Sequence, residues 1–133
     1  MSDTSSHLVT IDEIEVARER TTGIVHRTPL LSSETAAAWT RVATGAGVRN
    51  DRIYLKAENL QKTGSFKPRG MTNKIGTLPG AAKANGIITL SAGNAGQAYA
   101  WAGRSAGVPV TVVMPTGSER VYSPYAWAAY PKS

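Results

Sequence analysis

Helical and strand-like periods alternate along the chain, separated by glycine and proline. Thr10 stands three positions before Glu13, the spacing of a capping box. Ile11, Ile14, Val16 and Ala17 then share one helical face, which predicts a helix to about Thr22, stopped at Gly23. Thr28-Pro29-Leu30-Leu31 reads as an extended connector, because proline biases its predecessor away from helix. A second helix is predicted from Ser33 to about Thr44, ending near Gly45 and Gly47. Arg52-Ile53-Tyr54-Leu55-Lys56-Ala57-Glu58 alternates and reads as a strand.

The pattern then repeats. Pro68 to about Thr77 is predicted helical, since proline suits a first helical position. Gly86 to Ser91 is a short apolar strand. Asn94 to Ala106 is an alanine-rich helix closed by Gly107, and Val108 to Met114 is a buried-type strand stopped by Pro115. This order predicts an α/β fold with a parallel sheet and flanking helices. Ligands of such sheets sit at the carboxyl ends of strands, where the loops 62–70 and 91–97 are expected. Three segments follow: a lead and helix over 1–23, an α/β region over 24–115, and an atypical tail over 116–133. The tail holds Tyr122, Tyr125, Trp127 and Tyr130 but no helical or strand period.

A length of 133 residues and 41% hydrophobic content fit one modest domain with a core. No cysteine is present, which rules out a disulfide framework or thiolate metal site. His7 and His26 are isolated, so no metal is expected. The polar start lacks the basic and apolar regions of a secretory signal, and no apolar run is long enough to span a bilayer. A soluble, cytoplasmic protein is expected. The net charge of +6 is scattered rather than clustered with aromatics, which argues against nucleic acid as a partner. Between Glu58 and Glu119 no acid occurs, whereas Lys62, Lys67, Arg69, Lys74, Lys83 and Arg104 do. An anionic ligand held there meets a favourable field.

Two loops carry the candidate chemistry. In Lys62-Thr63-Gly64-Ser65-Phe66-Lys67-Pro68-Arg69-Gly70, a lysine follows a Gly-Ser turn at the mouth of a helix. Positive neighbours and a helix N-terminus favour an amine able to attack an aldehyde. The backbone N–H groups of that N-terminus suit an anion. A lone lysine is more often a solvated charge, but its setting here adds a turn, small residues and an apolar neighbour. In Ser91-Ala92-Gly93-Asn94-Ala95-Gly96-Gln97, Gly93 and Gly96 would let backbone approach a ligand. Asn94 is either a helix N-cap or a hydrogen-bonding partner for a ligand ring, and Ser91 with the loop amides suits a carboxylate. The spacing is neither a dinucleotide fingerprint nor a P-loop.

With these loops the chain resembles the N-terminal part of the fold-type II pyridoxal-phosphate enzymes, the threonine/serine dehydratases and their serine racemase relatives. The resemblance runs over about residues 24–115. It begins at His26-Arg27-Thr28-Pro29-Leu30, continues through Leu55-Lys56-Ala57-Glu58-Asn59-Leu60-Gln61 and both loops, and ends at Val112-Val113-Met114-Pro115.

The resemblance implies pyridoxal 5'-phosphate as cofactor and β-elimination of water from L-threonine or L-serine, giving a 2-oxo acid and ammonia. It implies that Lys67 carries the cofactor covalently and moves protons at the substrate α-carbon. Phe66 would pack against the cofactor region and Asn94 would hydrogen-bond its ring hydroxyl. Ser91, Gly93, Asn94 and Ala95 would hold the substrate carboxylate. Ala92 follows the dehydratase pattern, whereas racemases carry serine there. Ala95 stands where the family usually has histidine.

The family's phosphate cradle and the residue meeting the pyridine nitrogen lie downstream of the matching region. The expectation is therefore a partial fold that is inactive alone, with a truncated or frameshifted tail. The N-terminal helices would leave part of their apolar face exposed. The expected partner beyond a small amino acid is a missing C-terminal portion or another copy. Two alternatives stand beside this: a non-catalytic remnant binding an anionic metabolite or partner chain, and a serine racemase or threonine synthase-type enzyme.

Overall fold

The computed structural model describes residues 8–115; the lead before Leu8 and the aromatic tail 116–133 lie outside the described residues. Helix α1 (Ile11–Thr21) starts on the predicted capping box. The Glu13 N–H donates to Thr10 Oγ1 at 3.2 Å, and the Thr10 N–H donates to the Glu13 carboxylate at 2.8 Å. Helix α2 (Glu34–Thr44) is capped by Ser33, whose hydroxyl accepts from the Ala36 N–H, and closes on Gly45 at φ +71°. A left-handed φ of this kind is the usual place for glycine after a helix.

Helices α3 (Lys67–Thr77), α4 (Gly80–Asn85) and α5 (Asn94–Ala106) follow. The bounds of α3 and α5 lie within a residue of the predicted ones. Helix α4 was not foreseen: six residues between Pro79 and Gly86 are too few to display a period.

Strands β1 (Leu30–Ser33) and β2 (Ile53–Lys56) pair antiparallel, from Leu30 opposite Lys56 to Ser33 opposite Ile53. Strands β3 (Ile87–Leu90) and β4 (Val110–Val113) pair parallel, from Ile87 beside Val110 to Leu90 beside Val113. The fold is α/β with flanking helices, yet the strand predicted over 52–58 does not join the parallel sheet. It takes the extended Pro29-Leu30-Leu31 connector as its partner instead. The Ala57 N–H donates to the Pro29 carbonyl at 3.0 Å, continuing the ladder past the strand ends. Alternation marks a strand but does not choose its neighbour.

The buried core lies between α3, α5 and the start of β4. Ile75, Trp101, Ala102 and Val108 form it, with Val25, Met71, Ile87 and Tyr99 packed around. Helix α5 covers one face of β3–β4, where Gly96 meets Val112 and Gly103 meets Val110. The predicted apolar face of α1 is not part of this core: Ile11, Ile14 and Val16 are all exposed.

Candidate active site

Lys67 is the first residue of α3, after Phe66 at the cap position and before Pro68. It is half-buried, and its ammonium sits over the Phe66 ring, 4.8 Å from the centroid. The chain reaches it through two single helical turns, Glu58–Leu60 and Lys62–Gly64. In the second, Thr63 has φ +60° and Gly64 φ +68°. A β-branched residue in the left-handed region is strained, and surrounding structure must hold it there.

What holds this loop is a polar network around the residues flanking it. The buried Gln61 amide pairs with the His26 backbone like a strand neighbour, its oxygen accepting from the N–H and its nitrogen donating to the carbonyl, both at 2.8 Å. Arg69 grips Glu58 with two hydrogen bonds, from Nε at 2.9 Å and from its terminal nitrogen at 2.8 Å. The same guanidinium reaches the His26 carbonyl at 3.0 Å, and Thr28 donates to Glu58. The first turn of α3 is thereby fixed to the 26–28 segment. A paired fork of this kind adds direction as well as attraction. The charge that Arg69 brings near Lys67 in sequence is thus engaged by Glu58.

The Arg69 hydrogen bond is the main reason the Glu58 carboxyl lies below its ordinary range; partial burial opposes it, and Thr28 and Lys56 assist it. The folded protein therefore keeps Glu58 ionised to lower pH than the unfolded chain does. Its contribution to stability is complete above the ordinary carboxyl value of about 4.3 and is lost as pH falls through the folded value. Glu58→Gln is expected to lower the urea midpoint at neutral pH, with the gap to the parent narrowing steadily on acidification. Midpoints that stay parallel down to acid pH would contradict this.

Three hydroxyls are buried without a hydrogen-bond partner among the described residues: Thr63 Oγ1 and Ser65 Oγ in the loop before Lys67, and Thr72 Oγ1 further along α3. Ser65 and Thr72 are both 8% exposed. A buried hydroxyl left unpaired costs about 1–3 kcal/mol. An unpaired buried hydroxyl calls for a partner, such as an ordered water or a polar ligand group. The sequence signal for two of them is Thr63-Gly64-Ser65, a run of small polar residues next to the lysine.

The second loop opens α5. Gly93, not Asn94, holds the cap position, and Asn94 is the exposed first helical residue. Capping falls to Ser91, whose hydroxyl accepts from the Gly96 N–H at 2.9 Å and the Gly93 N–H at 3.3 Å. The N–H groups of Asn94 and Ala95 have no partner among the described residues. They form an open helix N-terminus suited to a carboxylate or phosphate. The two glycines differ. A Cβ on Gly93 would meet nothing, so that backbone is open to a ligand. A Cβ on Gly96 would lie 2.9 Å from Val112, so Gly96 serves helix–strand packing rather than ligand approach.

Helix α3 has its most extensive helix contact with α5, and the Lys62–Gly64 turn before it also rests on α5. The amine and the open amides thus stand at the starts of two packed helices. Among the described residues no group of His, Cys, Asp and Glu is placed to hold a metal ion. No helix among them is long and apolar enough to cross a membrane.

Fold and site together define an α/β chain with a lysine at the start of α3 and open backbone amides at the start of α5, two helices packed on each other. The family model for pyridoxal-phosphate dependent enzymes matches residues 21–126. The L-threonine ammonia-lyase of Thermotoga maritima is 41% identical over 108 residues, which is 81% of this chain and 25% of the relative. The structure of a pyridoxal 5'-phosphate-dependent aspartate racemase superposes with a TM-score of 0.72 at 39% identity, covering 85% of this chain and 34% of that one. Maize serine racemase superposes with a TM-score of 0.69 at 33% identity, covering 85% and 33%. The chain belongs to the pyridoxal-phosphate dependent enzyme family and spans a quarter to a third of the length of these relatives.

Proposed function

We propose that this chain is the amine-bearing part of a lyase that removes water from L-threonine or L-serine, releasing a 2-oxo acid and ammonia. One observation supports this most: Lys67 and the open N-terminus of α5 stand on adjacent helices, with unpaired buried hydroxyls in the loop that leads into the lysine. These residues fit pyridoxal 5'-phosphate, which has an aldehyde for an amine and polar groups for hydroxyl and N–H partners. When bound, the cofactor supplies an electron sink.

The chain's own residues divide the remaining work. Lys67 would be the residue that holds the cofactor through its aldehyde, and its amine would move the proton at the substrate α-carbon. Phe66 would pack against the cofactor, and Asn94 would hydrogen-bond its ring hydroxyl. Ser91, Gly93, Asn94 and Ala95 receive the substrate carboxylate, the Asn94 and Ala95 N–H groups being the free donors. Ser91 acts by shaping the loop, since its hydroxyl already accepts from Gly93 and Gly96. Racemases share the fold, but a second base on the opposite face needs a protic side chain, and Ala92 has none. Turnover is expected only with the remaining portion of the family fold present.

Addition of pyridoxal 5'-phosphate, borohydride reduction and peptide mass mapping test the proposal. Label concentrated on Lys67 supports it. Label spread equally over Lys62, Lys74 and Lys83, or no label on a chain with intact circular dichroism, favours a non-catalytic binding module. A product assay on both amino acids separates dehydration from racemisation.

A further inference from the structure

The stretch from Gln61 to Arg69 carries Lys67 across the strained turn, and both its ends reach one atom. Gln61 Nε2 donates to the His26 carbonyl oxygen at 2.8 Å, and the Arg69 guanidinium donates to the same oxygen at 3.0 Å. A carbonyl oxygen offers two lone pairs, so one atom can receive both donors. Gln61 does more at its own end. It is 4% exposed, and its Oε1 accepts from the His26 N–H at 2.8 Å and the Lys62 N–H at 2.9 Å. Its backbone carbonyl accepts from the Gly64 N–H at 2.9 Å, closing the turn that holds Thr63 at φ +60°. Its backbone N–H donates to the Glu58 carbonyl at 3.2 Å. The polar groups of Gln61 are thus engaged with backbone, and none with Lys67.

The lysine side chain does little to fix itself. Its ammonium lies over the Phe66 ring, and no hydrogen bond to a described residue holds it. The place of the amine is therefore set by the backbone that carries it. That backbone passes through a left-handed threonine, which relaxes unless neighbouring bonds keep it there. A reactive group keeps its geometry when the residues behind it are themselves held by hydrogen bonds. We propose that Gln61 is a positioning residue for Lys67: with Arg69 it clamps both ends of the lysine's loop to the His26 carbonyl and holds the Thr63 turn, so the amine is aimed before any ligand arrives. This rests on the proposed role of Lys67 as the cofactor-bearing amine. Arg69 also binds Glu58, so the start of α3 stays tied when Gln61 is changed and only the entry to the loop is freed.

Phe66 is the chain's only phenylalanine, so para-fluorophenylalanine incorporated in the full chain gives a single fluorine NMR signal next to Lys67. Without cofactor, that signal is expected to stand apart from its position in urea. Gln61→Met keeps the side-chain bulk and removes the side-chain hydrogen bonds to His26 and Lys62. It is expected to move the signal to the urea position while the helical circular dichroism is kept. Adding Thr63→Gly is expected to bring the signal back, because glycine takes a positive φ without steric cost. A residue with a merely structural role would lose the signal and the circular dichroism together, and relief of strain at position 63 would restore neither. That pattern overturns the proposal. So does a parent signal already at the urea position, a Gln61→Met signal that does not move, or one that Thr63→Gly does not recover. After pyridoxal 5'-phosphate and borohydride, label on Lys67 should fall in Gln61→Met and return in the double variant. A parent with a displaced fluorine signal but no label on Lys67 defeats the cofactor reading, while the fluorine series still decides the clamp.

Discussion

Lys67→Ala is expected to abolish borohydride-stable capture of pyridoxal 5'-phosphate while leaving the urea midpoint nearly unchanged. The separation of the two effects follows from what the side chain touches. Among the described residues its ammonium meets the Phe66 ring, 4.8 Å from the centroid. An exposed contact of that kind contributes about 0.5–1 kcal/mol. Alanine is the strongest helix former, and position 67 begins α3, so the backbone tolerates the change. Lys67→Arg keeps the positive charge and the ring contact but has no primary amine, and it should also lose the label. Lys62→Ala should retain it. Mass mapping of the reduced adduct across the three variants checks all of this at once. Label that survives Lys67→Ala would place the reactive amine elsewhere.

Much of the local structure was legible because its causes are local. Thr10 with Glu13, Ser33 before α2, and Gly45 and Gly107 after their helices all act within one turn of chain. Both small-residue loops were legible for the same reason. What the sequence hid depends on pairs far apart. Strand β2 found Leu30–Ser33 rather than the parallel sheet, through residues some twenty positions away. Arg69 reads as a charge for Lys67, yet its fork binds Glu58 and the His26 carbonyl. Gly96 reads as a ligand-facing glycine, yet it lies against Val112. Ser91 reads as a ligand partner, and its hydroxyl oxygen also accepts from two N–H groups of its own loop. In each case residue type was informative and the partner was not.

The glycines of α3 and α5 turn that distinction into opposite responses to one substitution. Gly70→Ala in α3 adds a methyl to open space, since a Cβ there meets nothing within 4 Å. Relative to glycine, alanine in a helix interior gains about 0.8–1 kcal/mol, and the urea midpoint should rise. Gly103→Ala in α5 gains the same helical preference but drives the methyl into Val110 Cγ2 and places it 2.8 Å from the Val108 carbonyl oxygen. The valine side chain can rotate; the carbonyl cannot move freely. The Val108 N–H donates to the Gly103 carbonyl at 2.8 Å, so the same short link is fixed from both sides. Relief requires β4 to shift away from α5, opening the cluster that Trp101, Ala102 and Val108 close. Overpacking of this kind costs about 1–3 kcal/mol, more than the helical gain. Gly103→Ala should therefore lower the midpoint, and Gly103→Val should lower it further. Equal shifts of the same sign at positions 70 and 103 would mean that helix preference alone governs both sites and that α5 does not seat on β4 as closely as described.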